Sequence, residues 1–69
     1  MSNNYWLALL GNKDNGFFVY GSYYGERHKV YEYVCNEIEE LMPESTYNIL
    51  ILAPTTMEYA LDFDIEEVR

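Results

Sequence analysis

The sequence has little of what metal-binding, disulfide-bonded and catalytic proteins need. Its 69 residues include one cysteine, Cys35, and one histidine, His28. A single cysteine forms no internal disulfide, which indicates a reducing compartment. A zinc site takes four ligands, usually Cys and His, so we predict none here. Cys35 follows His28 by seven positions, about 10 Å along a helix axis, which is too far for a nucleophile and its base.

Long hydrophobic runs and positive charge are also scarce. The longest apolar run, residues 5–10, is far shorter than the ~20 residues that span a bilayer. No basic segment precedes an apolar one at the N-terminus, so no signal peptide is expected. Twelve acids against four bases give a net charge of −8, which opposes direct binding to nucleic acid or to an anionic membrane. We therefore expect one soluble, cytoplasmic domain over residues 1–69.

Catalytic and cofactor motifs are missing as well. Gly11 and Gly16 flank a predicted hairpin turn instead of opening a helix, so they do not form a phosphate-binding loop. The alternating acids of residues 62–66 resemble the start of a calcium loop, but Glu67 stands where that loop needs glycine. A domain this small leaves little room for a pocket. We therefore predict no enzyme activity, no cofactor and no metal site.

Periodicity predicts a β-hairpin followed by a helix. Residues 5–10 and 17–24 are apolar and aromatic, and the Asn-Gly pair ending at Gly16 is a strong turn signal between two strands. Residues 26–42 have helical spacing, and Pro43 ends the pattern. The apolar stripe of this helix comprises Val30, Val34, Ile38 and Leu41, widened by Tyr31 and Met42.

Two further strands complete the predicted fold. Residues 47–53 are β-branched and apolar, which is typical of a buried central strand. Residues 57–66 alternate apolar and polar positions and favour an amphipathic strand. A helix remains the alternative there, because Thr55 and Glu58 fit a capping box. The expected fold class is α+β, with ββαββ order, one helix on a four-stranded antiparallel sheet and spatial strand order 2-1-3-4.

Negative charge is concentrated in the second part of the chain. Residues 1–29 hold two acids and three bases, whereas residues 30–68 hold ten acids and no Lys or Arg. The predicted helix also has basic residues at its start and acidic ones at its end, opposite to the preference of the helix dipole. Each such charge costs about 0.3–1 kcal/mol. Where a sequence breaks a local rule without compensation, function is the first explanation to consider.

The last predicted strand places acids at two-residue intervals on one face. Successive carboxylates would then lie about 6.6 Å apart, comparable to phosphates along a nucleic-acid strand. The alternative is a charged edge strand that prevents aggregation. The predicted partner-binding acids are Glu32, Glu37, Glu39, Glu40, Glu58, Asp62, Asp64 and Glu66.

A short chain with segregated acidity and many tyrosines resembles the small phage-encoded anti-CRISPR proteins that act as DNA mimics. The resemblance covers the whole chain through size, charge layout and the expected α+β form, and no motif carries it. It implies an inhibitor in the host cytoplasm that blocks a basic nucleic-acid-binding site, for instance on a CRISPR effector complex.

An interaction module or homodimeric accessory subunit remains the alternative function. The chain has eight tyrosines, and nothing in the predicted fold covers the sheet face opposite the helix. Tyrosine and tryptophan are large and amphipathic, and they often provide the binding energy of interfaces. The candidate residues for this aromatic face are Tyr5, Trp6, Tyr20 and Tyr23.

Overall fold

One four-stranded sheet organises the protein. The structure, a computed structural model, describes residues 3–41 and 49–69. The strands are β1 (Asn4–Asn12), β2 (Gly16–Gly25), β3 (Ile49–Thr55) and β4 (Ile65–Glu67). The helices are α1 (Arg27–Leu41) and α2 (Met57–Ala60), and a 3-10 turn (Leu61–Phe63) follows α2. The α+β class is confirmed, although the sheet is mixed. Within the described ranges, no helix is long and apolar enough to cross a membrane.

The predicted hairpin is confirmed as β1 and β2. Gly16 has a φ of 76°, which glycine adopts at little cost. The Asn12 side chain accepts hydrogen bonds from the backbone N–H groups of Asp14 (3.0 Å) and Asn15 (2.7 Å). The turn is therefore stabilised by its own side chains, independently of the rest of the sheet.

A β-bulge interrupts the pairing of β1 with β2. Ala8 pairs with Gly21 and Leu9 pairs with Val19, so Tyr20 is an extra residue without a partner in β1. A bulge redirects side chains locally. Tyr20 accordingly packs against the core beneath α1, together with Trp6.

The main core lies between α1 and one face of the sheet. The predicted apolar stripe of the helix is confirmed in its first half, because Val30 and Val34 are fully buried. Leu41, at the end of the stripe, is 66% exposed. Met42, Pro43 and Tyr47 lie outside the described residues. The core cluster comprises Ala8, Tyr23, Val30, Val34, Leu52 and Val68.

The prediction of a strand over residues 57–66 is wrong. Residues 57–63 form α2 and the 3-10 turn, and only β4 is extended. The cap is Thr56, whose hydroxyl oxygen accepts from the N–H of Tyr59, instead of the predicted pair that began at Thr55. Ala60, on the polar side of the alternating pattern, is fully buried, and its carbonyl accepts from the Ser22 hydroxyl at 2.8 Å. The burial of Ala60 and its hydrogen bond to Ser22 therefore hold this helix against the sheet.

The predicted strand order is confirmed for β2-β1-β3 but is wrong for β4, which was expected beside β3. The observed order is β3-β1-β2-β4, with β4 parallel to β2 and the other pairs antiparallel. Strands β2 and β3 both run antiparallel to β1, and β4 runs parallel to β2, so β3 and β4 run in the same direction. Two consecutive strands that run in the same direction need a crossover connection. Helix α2 provides that crossover. The predicted buried central strand is consequently β3 at the sheet edge, where Pro54 is tolerated and Ile51 is 44% exposed.

Candidate functional site

A shallow cleft lies where α1 faces the β4 edge of the sheet. Its volume is about 370 Å³. Tyrosine rings, a phenylalanine ring and three carboxylates surround it, and we call it the tyrosine–glutamate cleft. Its lining residues are Tyr20, Gly21, Ser22, Tyr23, Glu37, Phe63, Asp64 and Glu66.

Different elements bring these side chains together. Helix α1 contributes Glu37, and the bulge in β2 directs Tyr20 toward the same side. In β4, Glu66 stands in register with Tyr23 of β2. Asp64 has a φ of 57° at the end of the 3-10 turn, in the left-handed region that non-glycine residues rarely adopt. The cleft therefore exists only because β4 pairs with β2.

Tyrosine hydroxyls hold the two glutamates in place. The Tyr23 hydroxyl donates to Oε1 of Glu37 at 3.2 Å, and the Tyr33 hydroxyl donates to Oε2 of Glu66. The second bond links α1 to β4. The rings of Tyr23 and Tyr33 meet edge to face, with centroids 6.0 Å apart. A hydrogen bond to an ionised carboxylate is stronger than one between neutral groups, so these tyrosines orient both charges.

The environment of the cleft opposes ionisation of its tyrosines. Burial raises the pKa of the Tyr23 hydroxyl well above its ordinary value, and the charge of Glu37 and the hydrogen bond to it act in the same direction. Burial also raises the pKa of Tyr20, again helped by Glu37 and Glu66. Burial and the nearby negative charges both favour the neutral hydroxyl. The neutral hydroxyl is the protonation state that can donate a hydrogen bond to a carboxylate.

These shifts predict a loss of stability in alkaline solution. A tyrosine pKa that is higher in the folded state than the unfolded value of about 10 stabilises the fold fully below that pH. As the pH rises further, the unfolded chain releases the proton more readily, and the free energy of unfolding decreases. We expect Tyr23→Phe to flatten this decline in urea unfolding measured from about pH 8 to pH 11. An unchanged slope in the variant would contradict the assignment to Tyr23.

The eight predicted acids do not form one row. Three of them, Glu37, Asp64 and Glu66, line the cleft. On α1, Glu40 follows Glu37 by three residues on the same side of the helix.

The remaining acids lie on other parts of the surface. Glu32 and Glu39 are exposed on α1. Glu58 and Asp62 are exposed on α2 and the 3-10 turn, because Met57–Ala60 is a helix and not a strand. The predicted spacing of carboxylates along a single strand is therefore wrong.

The four predicted aromatic residues do not share an exposed face. The pairing places Trp6 and Tyr23 on the side of α1, where Tyr23 is 3% exposed. The Trp6 indole N–H donates to the carbonyl of Gly25 at 3.0 Å, so its polar atom is satisfied. Tyr5 is on the opposite face, and its ring lies 4.6 Å from that of Tyr24. Alternation along the strand separates Tyr5 from Trp6.

None of the eight predicted acids has an ion-pair partner among residues 3–41 and 49–69. The ion pairs there join Glu26 to His28 at 3.5 Å and Glu67 to Arg69 at 2.9 Å. The bases of α1 lie at its start, and the last turn of the helix has none. Within the same ranges, no three His, Cys, Asp or Glu side chains are grouped to hold a metal ion.

Sequence reasoning missed Tyr33 and Phe63. A signal for Tyr33 was present, because it precedes Glu37 by four residues and therefore shares its side of the helix. The assignment of residues 57–66 to a strand placed Phe63 on its buried face, whereas it is 43% exposed at the cleft. Its position depends on the 3-10 turn, which the alternating pattern conceals.

Comparison with known proteins provides no relative from which a function could be transferred. No protein-family model, no curated protein and no solved structure matches the chain.

Proposed function

We propose that this protein binds a basic nucleic-acid-binding site on a partner protein and blocks it, in the manner of a DNA mimic. The observation that carries the proposal is the set of acids without ion pairs within the described ranges. Carboxylates that form no internal ion pair can still meet Lys and Arg side chains of another protein. The cleft and the neighbouring side of α1 form the binding surface, which we call the acidic surface; its residues are Glu37, Glu40, Asp64 and Glu66.

Local energetics support a functional role for this surface. No acid lies in the first turn of α1 and no base in its last turn, so its charges oppose the helix dipole. The hydroxyls of Tyr23 and Tyr33 fix two of the carboxylates before any partner arrives. A charge that is already oriented loses less conformational entropy on binding, which favours affinity.

The inhibition is steric and electrostatic and requires no catalysis. The negative surface attracts a basic site over long distances, which accelerates association at low salt, and added salt weakens the attraction. The basic site of a bacterial defence complex such as a CRISPR effector is the partner class that the resemblance implies.

Capture of partners from bacterial lysate tests this function. The immobilised protein is expected to retain a nucleic-acid-binding complex that competitor duplex DNA and increased salt both release. Retention of a partner that neither competitor DNA nor increased salt releases would contradict DNA mimicry.

Matched charge variants identify the surface responsible. Neutralising the cleft with Glu37→Gln, Asp64→Asn and Glu66→Gln should weaken binding at least about tenfold, or ~1.4 kcal/mol. The control neutralises three acids elsewhere, Asp14→Asn, Glu58→Gln and Asp62→Asn, so its net charge is identical. We expect the control to bind like the parent. Equal losses in both variants would show that net charge alone is responsible, and no loss in the cleft variant would contradict the proposal.

A second candidate function is an interaction module that binds through apolar side chains. Met57, Tyr59 and Leu61 are 53%, 65% and 60% exposed on α2 and the 3-10 turn. Exposed apolar patches often mark interaction sites. In this case Tyr59→Ala would abolish partner capture while the neutralised cleft would not affect it, the opposite of the result expected above.

A further inference from the structure

The two edges of the sheet differ in a way that bears on self-association. Strand β4 forms one edge; it is three residues long and contains Glu66 and Glu67. Strand β3 forms the other edge; it is seven residues long and contains no charged residue. Short length and charge are the usual protection of a sheet edge against pairing with another chain. Within the described residues, β3 lacks both and pairs with β1 alone; its one edge protection is Pro54, next to the last residue of the strand.

The position of Pro54 indicates which backbone groups of β3 point away from β1. Proline lacks an N–H and is tolerated in an edge strand where that position faces away from the neighbouring strand. Backbone groups alternate in direction along a strand, so the N–H groups of Leu52 and Leu50 also face outward. The outer side therefore offers a short run of donors and acceptors that ends at Pro54.

We propose that β3 pairs antiparallel with β3 of a second copy, joining two sheets into one of eight strands. Centred on Ile51, the pairing matches Leu50 of one copy with Leu52 of the other in both directions. It is self-complementary, as a two-fold interface requires. The two Ile51 side chains then contact each other across the junction and bury the 44% of each that is exposed in the single chain.

Charge limits where a second copy can approach. Each chain carries a net charge of −8, so two copies repel each other over most approaches. The outer side of β3 is the sheet edge free of carboxylates. Pairing there keeps both acidic surfaces at the outer ends of the joined sheet, with both α1 helices on one face. This inference is independent of the proposed function, because the acidic surface remains free in the dimer.

Sedimentation of the full chain at increasing concentration tests the pairing. We expect a monomer–dimer equilibrium that Ile51→Lys shifts to monomer, because the substitution places two positive charges side by side. The matched control is Phe17→Lys, with the same change of charge at a residue 46% exposed on β2, away from this edge. It should dimerise like the parent. A parent that stays monomeric, or a dimer that Ile51→Lys leaves intact, would overturn the proposal.

A cross-linking experiment tests the register without depending on the lysine variant. In the proposed pair, Ile51 faces Ile51 at a position without mutual hydrogen bonds, where Cα atoms are about 4.5 Å apart. That distance suits a disulfide. With Cys35→Ser as background, Ile51→Cys should form a covalent dimer on mild oxidation, whereas Ile49→Cys, which faces Ala53 of the other copy, should not. Equal cross-linking of the two variants, or none in either, would contradict this register.

Discussion

Replacing Gly11 with alanine is expected to abolish the native fold. A Cβ atom at Gly11 would lie 2.1 Å from the carbonyl oxygen of Gly16 and 2.7 Å from the Cα of Phe17. Both are backbone atoms, so no side-chain rotation relieves the overlap. Gly11 pairs with Phe17 on one side and with Ile49 on the other, and a shift of the backbone there disturbs both pairings of the central strand. Far-UV circular dichroism and urea unfolding measure the loss.

The control for this prediction is Gly16→Ala in the same hairpin. A Cβ at Gly16 meets nothing within 4 Å, but its φ of 76° is unfavourable for alanine by about 1–2 kcal/mol. We therefore expect Gly16→Ala to fold with reduced stability, whereas Gly11→Ala does not fold. Equal stability of the two variants would contradict the close approach at Gly11.

Leu10→Ala is the second substitution with a large expected effect. Leu10 is 1% exposed and has the largest fully buried side chain in the described structure. Truncating a buried leucine costs about 2–5 kcal/mol, because apolar contacts are lost and a cavity remains. A domain of this size has a reserve of only about 3–5 kcal/mol. We expect the midpoint of thermal unfolding to fall by more than about 10 °C.

Leu41→Ala provides the matched control for Leu10→Ala. The chemical change is identical, but Leu41 is 66% exposed at the last residue of α1. Little apolar surface is lost there, so its unfolding midpoint should stay within a few degrees of the parent, as is usual for surface substitutions of about 0.5 kcal/mol or less. A larger loss of stability for Leu41→Ala than for Leu10→Ala would contradict the burial of these two residues.

The small stability reserve also determines how the acidic surface should be studied. Glu37, Asp64 and Glu66 are partly or fully exposed, so their amide variants leave the core intact. Tyr23 is different, because it belongs to the core and also orients Glu37. Loss of binding in a Tyr23 variant therefore requires a parallel measurement of stability, whereas the carboxylate variants report on the surface directly.

The acidic surface was predictable in composition but not in arrangement. The sequence alone placed acids at the end of α1, and the structure places Glu37 there beside the tyrosines. It did not predict that Asp64 and Glu66 would share a cleft with Glu37, since that depends on β4 pairing with β2. The alternating pattern of residues 57–66 did not reveal α2. This helix buries only Ala60 and leaves its apolar neighbours exposed, so its buried side is not marked by large apolar residues.

Local chemistry in the sequence determined the hairpin, α1 and the uneven charge. An Asn-Gly turn and a helical apolar stripe act between neighbours in the chain, so they can be read without knowledge of the fold. Tertiary structure decided the rest. The Ser22 hydroxyl bonds to Ala60 across 38 residues, and Tyr33 bonds to Glu66 across 33. These contacts set the helical form of α2, the sheet order and the cleft, because residues so far apart in sequence meet only when the whole chain has folded.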